Sequence, residues 1–116
     1  IRESVRALCG ASRLDPATLV AAIGPHIGPA AFEVSLEVAH AIALAANEPE
    51  VVLKGEPRPH VDLGRAVHAQ LRQAGLLASQ IERVAGCTLQ DRERFFSFRR
   101  DGQTSGRHLA VIVAGC

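Results

Sequence analysis

Ser97, Arg99 and Arg107 are the residues whose types and placement best suit an anion. Ser97 and Arg99 lie in the Phe-rich run Phe95–Arg100, and Arg107 stands across the loop that begins at Asp101. A planar guanidinium offers paired N–H donors that match phosphate bidentately. Read as a strand, the run places Ser97 and Arg99 on one face with Phe95, and Phe96, Phe98 and Arg100 on the other, core-facing side. Backbone N–H groups around Gly102 and Gly106 would add an anion nest. Ser97, Arg99 and Arg107 are thus candidate phosphate-binding residues. The plainer reading, which these residues alone favour, has the arginines solvated or paired with Asp91, Glu93 or Asp101.

No metal-ligand set is assigned within the chain. His26, His40, His60, His68 and His108 show neither an HExxH nor a His-x-His spacing. Cys9, Cys87 and Cys116 are widely spaced, with no CxxC pair, which points to reduced thiols and a cytoplasmic setting. Cys87 precedes Thr88 at the end of a short apolar run and reads as a packing thiol. No catalytic residue is assigned. The segment Gly24–Pro29 carries Gly-Pro pairs instead of a Gly-Lys-Ser/Thr ending, so it reads as a rigid bend and not a phosphate loop.

The totals exclude several classes. A formal charge of +1 over 116 residues gives no basic face for nucleic acid. The apolar runs Ala41–Ala46 and Leu109–Ala114 fall far short of the ~20 residues a membrane span needs. The N-terminus carries Arg2, Glu3 and Arg6 in place of an apolar signal. The chain starts at Ile1, and its first helix reads as the tail of an element that begins earlier.

The elements that must position these residues follow from periodicity and punctuation. Ile1, Val5 and Leu8 share a helical face that Gly10 should close. Leu19–Ile23 reads as a buried strand. Ser35 is a natural N-cap for an Ala-rich helix reaching Ala46. Val51–Leu53 is a candidate strand. Asp62 should cap a helix whose stripe is Leu63, Val67, Leu71 and Ala74, ending at Gly75. Ile81–Val84 is another short strand. Phe95–Arg100 and His108–Ala114 read as the arms of a C-terminal antiparallel hairpin. The expected fold is α+β (mixed α/β): one mixed sheet with helices packed outside, forming half of a larger domain.

Several segments together resemble one family. Ala22-Ile-Gly-Pro-His-Ile-Gly-Pro-Ala-Ala-Phe-Glu-Val34 is similar to its Ile-Gly-Pro and Tyr-Glu-Val block. His60-Val-Asp-Leu63 and the helix after it resemble the next block. Cys87-Thr88, Arg94–Gly102 and Gly106-Arg107 resemble its C-terminal signature. By this resemblance, residues 1–116 are the C-terminal portion of a single laccase-like domain. The family is that of laccase-domain proteins, named for polyphenol oxidase activity and associated with zinc-dependent purine nucleoside phosphorolysis. The resemblance implies adenosine, inosine, guanosine and methylthioadenosine as substrates alongside phosphate, with adenosine deamination in addition. It implies zinc held by two histidines and one cysteine upstream of Ile1, one of them in a His-Ala-Gly-Trp-Arg-Gly motif. The partner implied is therefore the N-terminal half of the same domain. Phe32 and Phe98 stand where the family commonly has Tyr, so a hydroxyl is lost at each. Two alternatives stay open: an inactive structural half, or a hydrolase acting on amide bonds with the same fold.

Overall fold

The computed structural model describes residues 1–113. Within them the chain forms helices α1 (Arg2–Ser12), α2 (Leu36–Ala46), α3 (Leu63–Gln73) and α4 (Phe98–Asp101). It forms strands β1 (Ala21–Ile23), β2 (Val52–Leu53), β3 (His60–Val61) and β4 (Ile81–Arg83). The fold is mixed α+β.

Side-chain caps fix where the two central helices begin. The Ser35 hydroxyl accepts the Val38 N–H, and the Asp62 carboxylate accepts the Arg65 N–H at 2.8 Å. Each satisfies one of the donors a helix start leaves open. Both caps sit where the sequence places them. The carboxyl end of α2 is closed by neighbours, because its last turn has no basic residue. Arg2 and Gln70 both donate to Ala45 O, and Gln73 donates to Ala46 O at 2.7 Å. Helices α1 and α3 are thereby fastened to the same end of α2. Helix α1 runs on through Gly10 and stops only where Arg13 turns left-handed at φ 53°.

The core is small and lies between α2, α3 and the β2–β3 pair. Val34, Ala39, Ala46, Val51, Val61 and Ala66 are buried together, with Phe32, Ile42 and Leu63 packed against them. Helix α3 presses in through Gly64 and Ala66, its buried positions. The stripe Leu63, Val67, Leu71 and Ala74 is only half-buried.

Two strand pairs replace the single expected sheet. β1 and β4 are parallel, with Ala21 opposite Ile81 and Ile23 opposite Arg83. β2 and β3 are antiparallel, with Val52 opposite Val61. β3 was hidden in a stretch that prolines made look structureless.

The C-terminal hairpin is not formed among the described residues. Ser97 turns its hydroxyl to the Arg100 N–H and starts α4, so local side-chain capping wins over strand alternation. His108–Val113 carries no strand and belongs to neither strand pair. Ala114 and Cys116 lie outside the described residues.

Asp62 serves α3 twice, since it also accepts from Arg83 at 3.3 Å. Asp62→Ala should cost about 1–2 kcal/mol by denaturant unfolding, the scale of losing a cap, with Asp62→Asn recovering most of it. An unchanged midpoint in Asp62→Ala would show that the cap carries no stability.

Candidate functional site

The parallel pair delivers two loops to one end of the molecule. At the end of β1 the Ile23 carbonyl accepts the Val84 N–H, and beyond it the His26 carbonyl accepts the Thr88 N–H at 3.0 Å. His26 and Cys87 form an isolated parallel bridge. The carboxyl ends of parallel strands are where loops most often build sites.

Three groups converge there at the start of α3. Arg83 donates to Asp62, and a side chain at Gly64 would have its Cβ 1.9 Å from Arg83 Nη2 and 2.7 Å from His26 Nε2. His26 Nδ1 lies 2.9 Å from the Gly24 carbonyl, an obligate acceptor, so Nδ1 holds the proton and Nε2 faces Gly64. Glycine at position 64 is what lets an imidazole and a guanidinium approach the helix together. Sequence reasoning saw the Asp62 cap but not this cluster, because the β1–β4 register that assembles it leaves no local signal.

Cys87 is half-buried beside the same bend, with the Gly28 N–H directed at its sulfur over 3.1 Å. Burial raises the thiol's pKa, and Asp91 adds to that. The N–H groups of Gly28, Gln90 and Leu89 oppose it and together prevail, so the thiol ionises below its ordinary value.

Arg100 ties the following loop into one unit. Its Nη1 donates to the carbonyls of Thr88 and Leu89, at 3.1 and 2.9 Å, and its Nη2 to that of Phe95 at 3.0 Å. Nε and Nη2 also grip the Asp101 carboxylate. That hydrogen-bonded pair, opposed by partial burial, holds the Asp101 carboxyl below the usual carboxylate range. Arg100 is thus the carboxylate-paired arginine of the plainer reading, and its side chain is only 13% exposed.

The phosphate candidates stand apart from that knot. Arg99 lies over the Phe32 ring at 5.2 Å and donates through Nη1 to the Glu33 carbonyl at 2.8 Å. Arg107 lies over Phe98 at 5.6 Å and donates to the Ser105 and Gly106 carbonyls. Ser97 is buried, its hydroxyl engaged as the α4 cap. Ser97 and Arg99 therefore do not share an open face. Phe96 and Phe98, assigned to the core by alternation, are 53% and 56% exposed. The inversion follows from the α4 cap, which turns Ser97 inward. Gly106 makes room for the Phe96 ring, which stacks on His108. Among the described residues, no three His, Cys, Asp or Glu side chains meet in a metal-holding arrangement.

Residues 1–115 match the family model of the multi-copper polyphenol oxidoreductase laccases. The chain belongs to this laccase family. Two relatives named purine nucleoside phosphorylase align with most of it. One, from Xylella fastidiosa, is 37% identical and covers 91% of this chain. The other, YfiH of Escherichia coli, is 33% identical and covers 84%. The crystal structure of YlmD from Geobacillus stearothermophilus superposes with a TM-score of 0.81 at 30% identity, over 90% of this chain. The laccase-family chain described here spans only 41% and 40% of the two relatives and 40% of YlmD.

Arg100→Lys should destabilise the chain by about 2–3 kcal/mol, because one ammonium leaves buried carbonyls and Asp101 unpaired. Thermal melting checks this, and an unchanged midpoint would contradict it. Alkylation of Cys87, followed residue by residue by mass spectrometry, should reach half its plateau rate at a lower pH than the same thiol in the unfolded chain. A midpoint at or above that of the unfolded chain would mean that the N–H groups do not outweigh burial.

Proposed function

We propose that this chain forms part of a purine nucleoside phosphorylase, in which Arg99 and Arg107 hold phosphate. The observation that carries the reading is the 37% identity, across 91% of this chain, to a relative named for that activity. The proposed substrates are adenosine, inosine, guanosine and methylthioadenosine with phosphate, and adenosine deamination accompanies them. The proposed compartment is the cytoplasm; no helix among the described residues is long and apolar enough to cross a membrane. The proposed zinc has its two histidines and one cysteine in a part of the domain that this chain does not span. Its own described residues bring no metal-holding group together.

Phosphorolysis of an N-glycosidic bond builds positive charge on the ribose as the purine departs. A phosphate oxygen forms the new bond to the anomeric carbon while the purine nitrogen takes the bonding pair. The demand on the protein is to hold phosphate close and correctly turned. Arg99 suits that task. The Phe32 ring fixes the plane of its guanidinium and the Glu33 carbonyl occupies Nη1. No described protein acceptor is bonded to its Nε or Nη2, so one edge stays open for a fork. Arg107 is presented on Phe98 in the same manner. Ser97 enters the reading through α4, which its hydroxyl starts and which carries Arg99.

The test uses a chimera with the unmatched part of the Xylella relative placed ahead of Ile1. Arg99→Ala should weaken phosphate use by about 1–3 kcal/mol, roughly 5- to 150-fold in the phosphate response. Arg99→Lys should restore little of it, because a point charge cannot replace the fork. The readout is phosphate dependence at saturating nucleoside, with folding checked by circular dichroism. A wild-type phosphate response in a folded Arg99→Ala chimera would remove Arg99 from the site.

A further inference from the structure

His108 is held in one tautomer and one orientation. The Phe96 backbone N–H donates to its Nε2 at 3.0 Å. A main-chain amide can only donate, so Nε2 keeps its lone pair and Nδ1 carries the proton. The Phe95 ring meets the imidazole edge to face at 5.9 Å, and the Phe96 ring stacks against it at 5.8 Å. Glycines seat both rings. A Cβ at Gly86 would fall 2.5 Å from the Phe95 ring, and one at Gly106 would fall 2.7 Å from the Phe96 ring. The hydrogen bond to Nε2 is the one that His108 makes among the described residues. Its Nδ1–H is left as a fixed, neutral donor with no described acceptor.

That donor shares a short segment with the two arginines read as phosphate ligands. Arg107 precedes it in the chain and lies over Phe98, and Arg99 stands in α4. Phosphorolysis makes two demands, and the arginines meet only the first. The second is the purine, which departs as an anion shared over its ring nitrogens. N9 is the nitrogen released, and N7 carries part of the charge unsubstituted at the ring's edge. A preorganised donor aimed at developing charge stabilises the transition state more than the bound substrate.

We propose that His108 is the donor to the departing purine, its Nδ1–H bonding to N7 as the glycosidic bond breaks. This rests on the phosphorylase reading and adds to it the contact with the base. The pair of electrons from the glycosidic bond goes to N9 and is shared with N7. Nδ1 keeps its proton, since a neutral imidazole gives a hydrogen bond and not the proton itself. The purine anion then takes its proton from water.

Two substitutions separate this role from a structural one. His108→Asn puts an amide N–H close to the place of Nδ1 and drops the acceptor for Phe96. His108→Gln puts its amide near the place of Nε2, where it can accept, and drops the donor. In the Xylella chimera, with inosine and phosphate saturating, His108→Gln should lower kcat about 10- to 100-fold, the scale of a hydrogen bond to a charged group. His108→Asn should lose far less, and the KM for phosphate should stay put in both. A merely structural histidine would rank the two the other way. As an inhibitor, 7-deazainosine, with C–H in place of N7, should bind wild type and His108→Gln equally. Wild-type kcat in a folded His108→Gln chimera, while the wild type phosphorolyses inosine, overturns this inference alone. A loss confined to the phosphate KM, or weaker 7-deazainosine binding to His108→Gln, overturns it as well. A folded wild-type chimera that consumes no phosphate removes the phosphorylase reading and this inference with it. If the fusion does not fold, long-range 1H–15N NMR of the 116-residue chain reads the tautomer directly. Protonated Nδ1 with bare Nε2 is expected, and the reverse overturns the proposal.

Discussion

The parallel pairing of Ala21–Ile23 with Ile81–Arg83 joins segments some 60 residues apart, and the cluster at the start of α3 and the Cys87 bend depend on it. Past the strands the offset shifts by one residue, so that His26 bridges Cys87 and the Gly28 N–H is aimed at the sulfur. It also brings Arg83 to Asp62 and His26 at the start of α3. With that end of the molecule fixed, the carbonyls of Thr88 and Leu89 face Arg100, and Arg100 draws in Phe95 and Asp101. The order of dependence is therefore strand pair, then bend, then guanidinium knot, while Arg99 and Arg107 rest on contacts of their own. Non-local pairing of this kind closes a long loop before it gains contacts. A pair of strands only three residues long is a slender support for so much.

Two kinds of arginine result from this arrangement. Arg100 is consumed by the protein, its donors spent on carbonyls and one carboxylate. Arg99 and Arg107 are held by aromatic faces, a contact that fixes a guanidinium's plane while leaving edge donors exposed. The distinction is physical: a charge that satisfies buried acceptors is structural, and a charge pinned on a ring with an open edge is available to an anion.

The sequence was most legible where chemistry is local. Ser35 and Asp62 announce their helices because a capping oxygen needs only the next three residues. The short segments Leu19–Ile23 and Ile81–Val84 were readable as strands, but their parallel pairing was not. Ser97 misled, since Phe-rich alternation resembles a strand and the hydroxyl instead starts a helical turn. That choice put Phe96 and Phe98 outward and the serine inward. The run Leu109–Val113 reads as a strand by type, yet strand geometry depends on neighbours that meet its backbone, and none of the described residues does so. Motif resemblance reached the family where periodicity reached only the elements, because Gly-Pro bends and paired arginines record a site more specifically than hydropathy does.

Phosphorolysis moves the ribose from purine to phosphate, whereas an amide hydrolase or an inactive half leaves the nucleoside intact. The most direct measurement is therefore product analysis of the Xylella chimera incubated with inosine, with and without phosphate. The account predicts hypoxanthine and ribose 1-phosphate in equal amounts, with one phosphate consumed per turnover and none of either product when phosphate is withheld. Free ribose formed at the same rate without phosphate, or an intact nucleoside in a folded chimera, would contradict it.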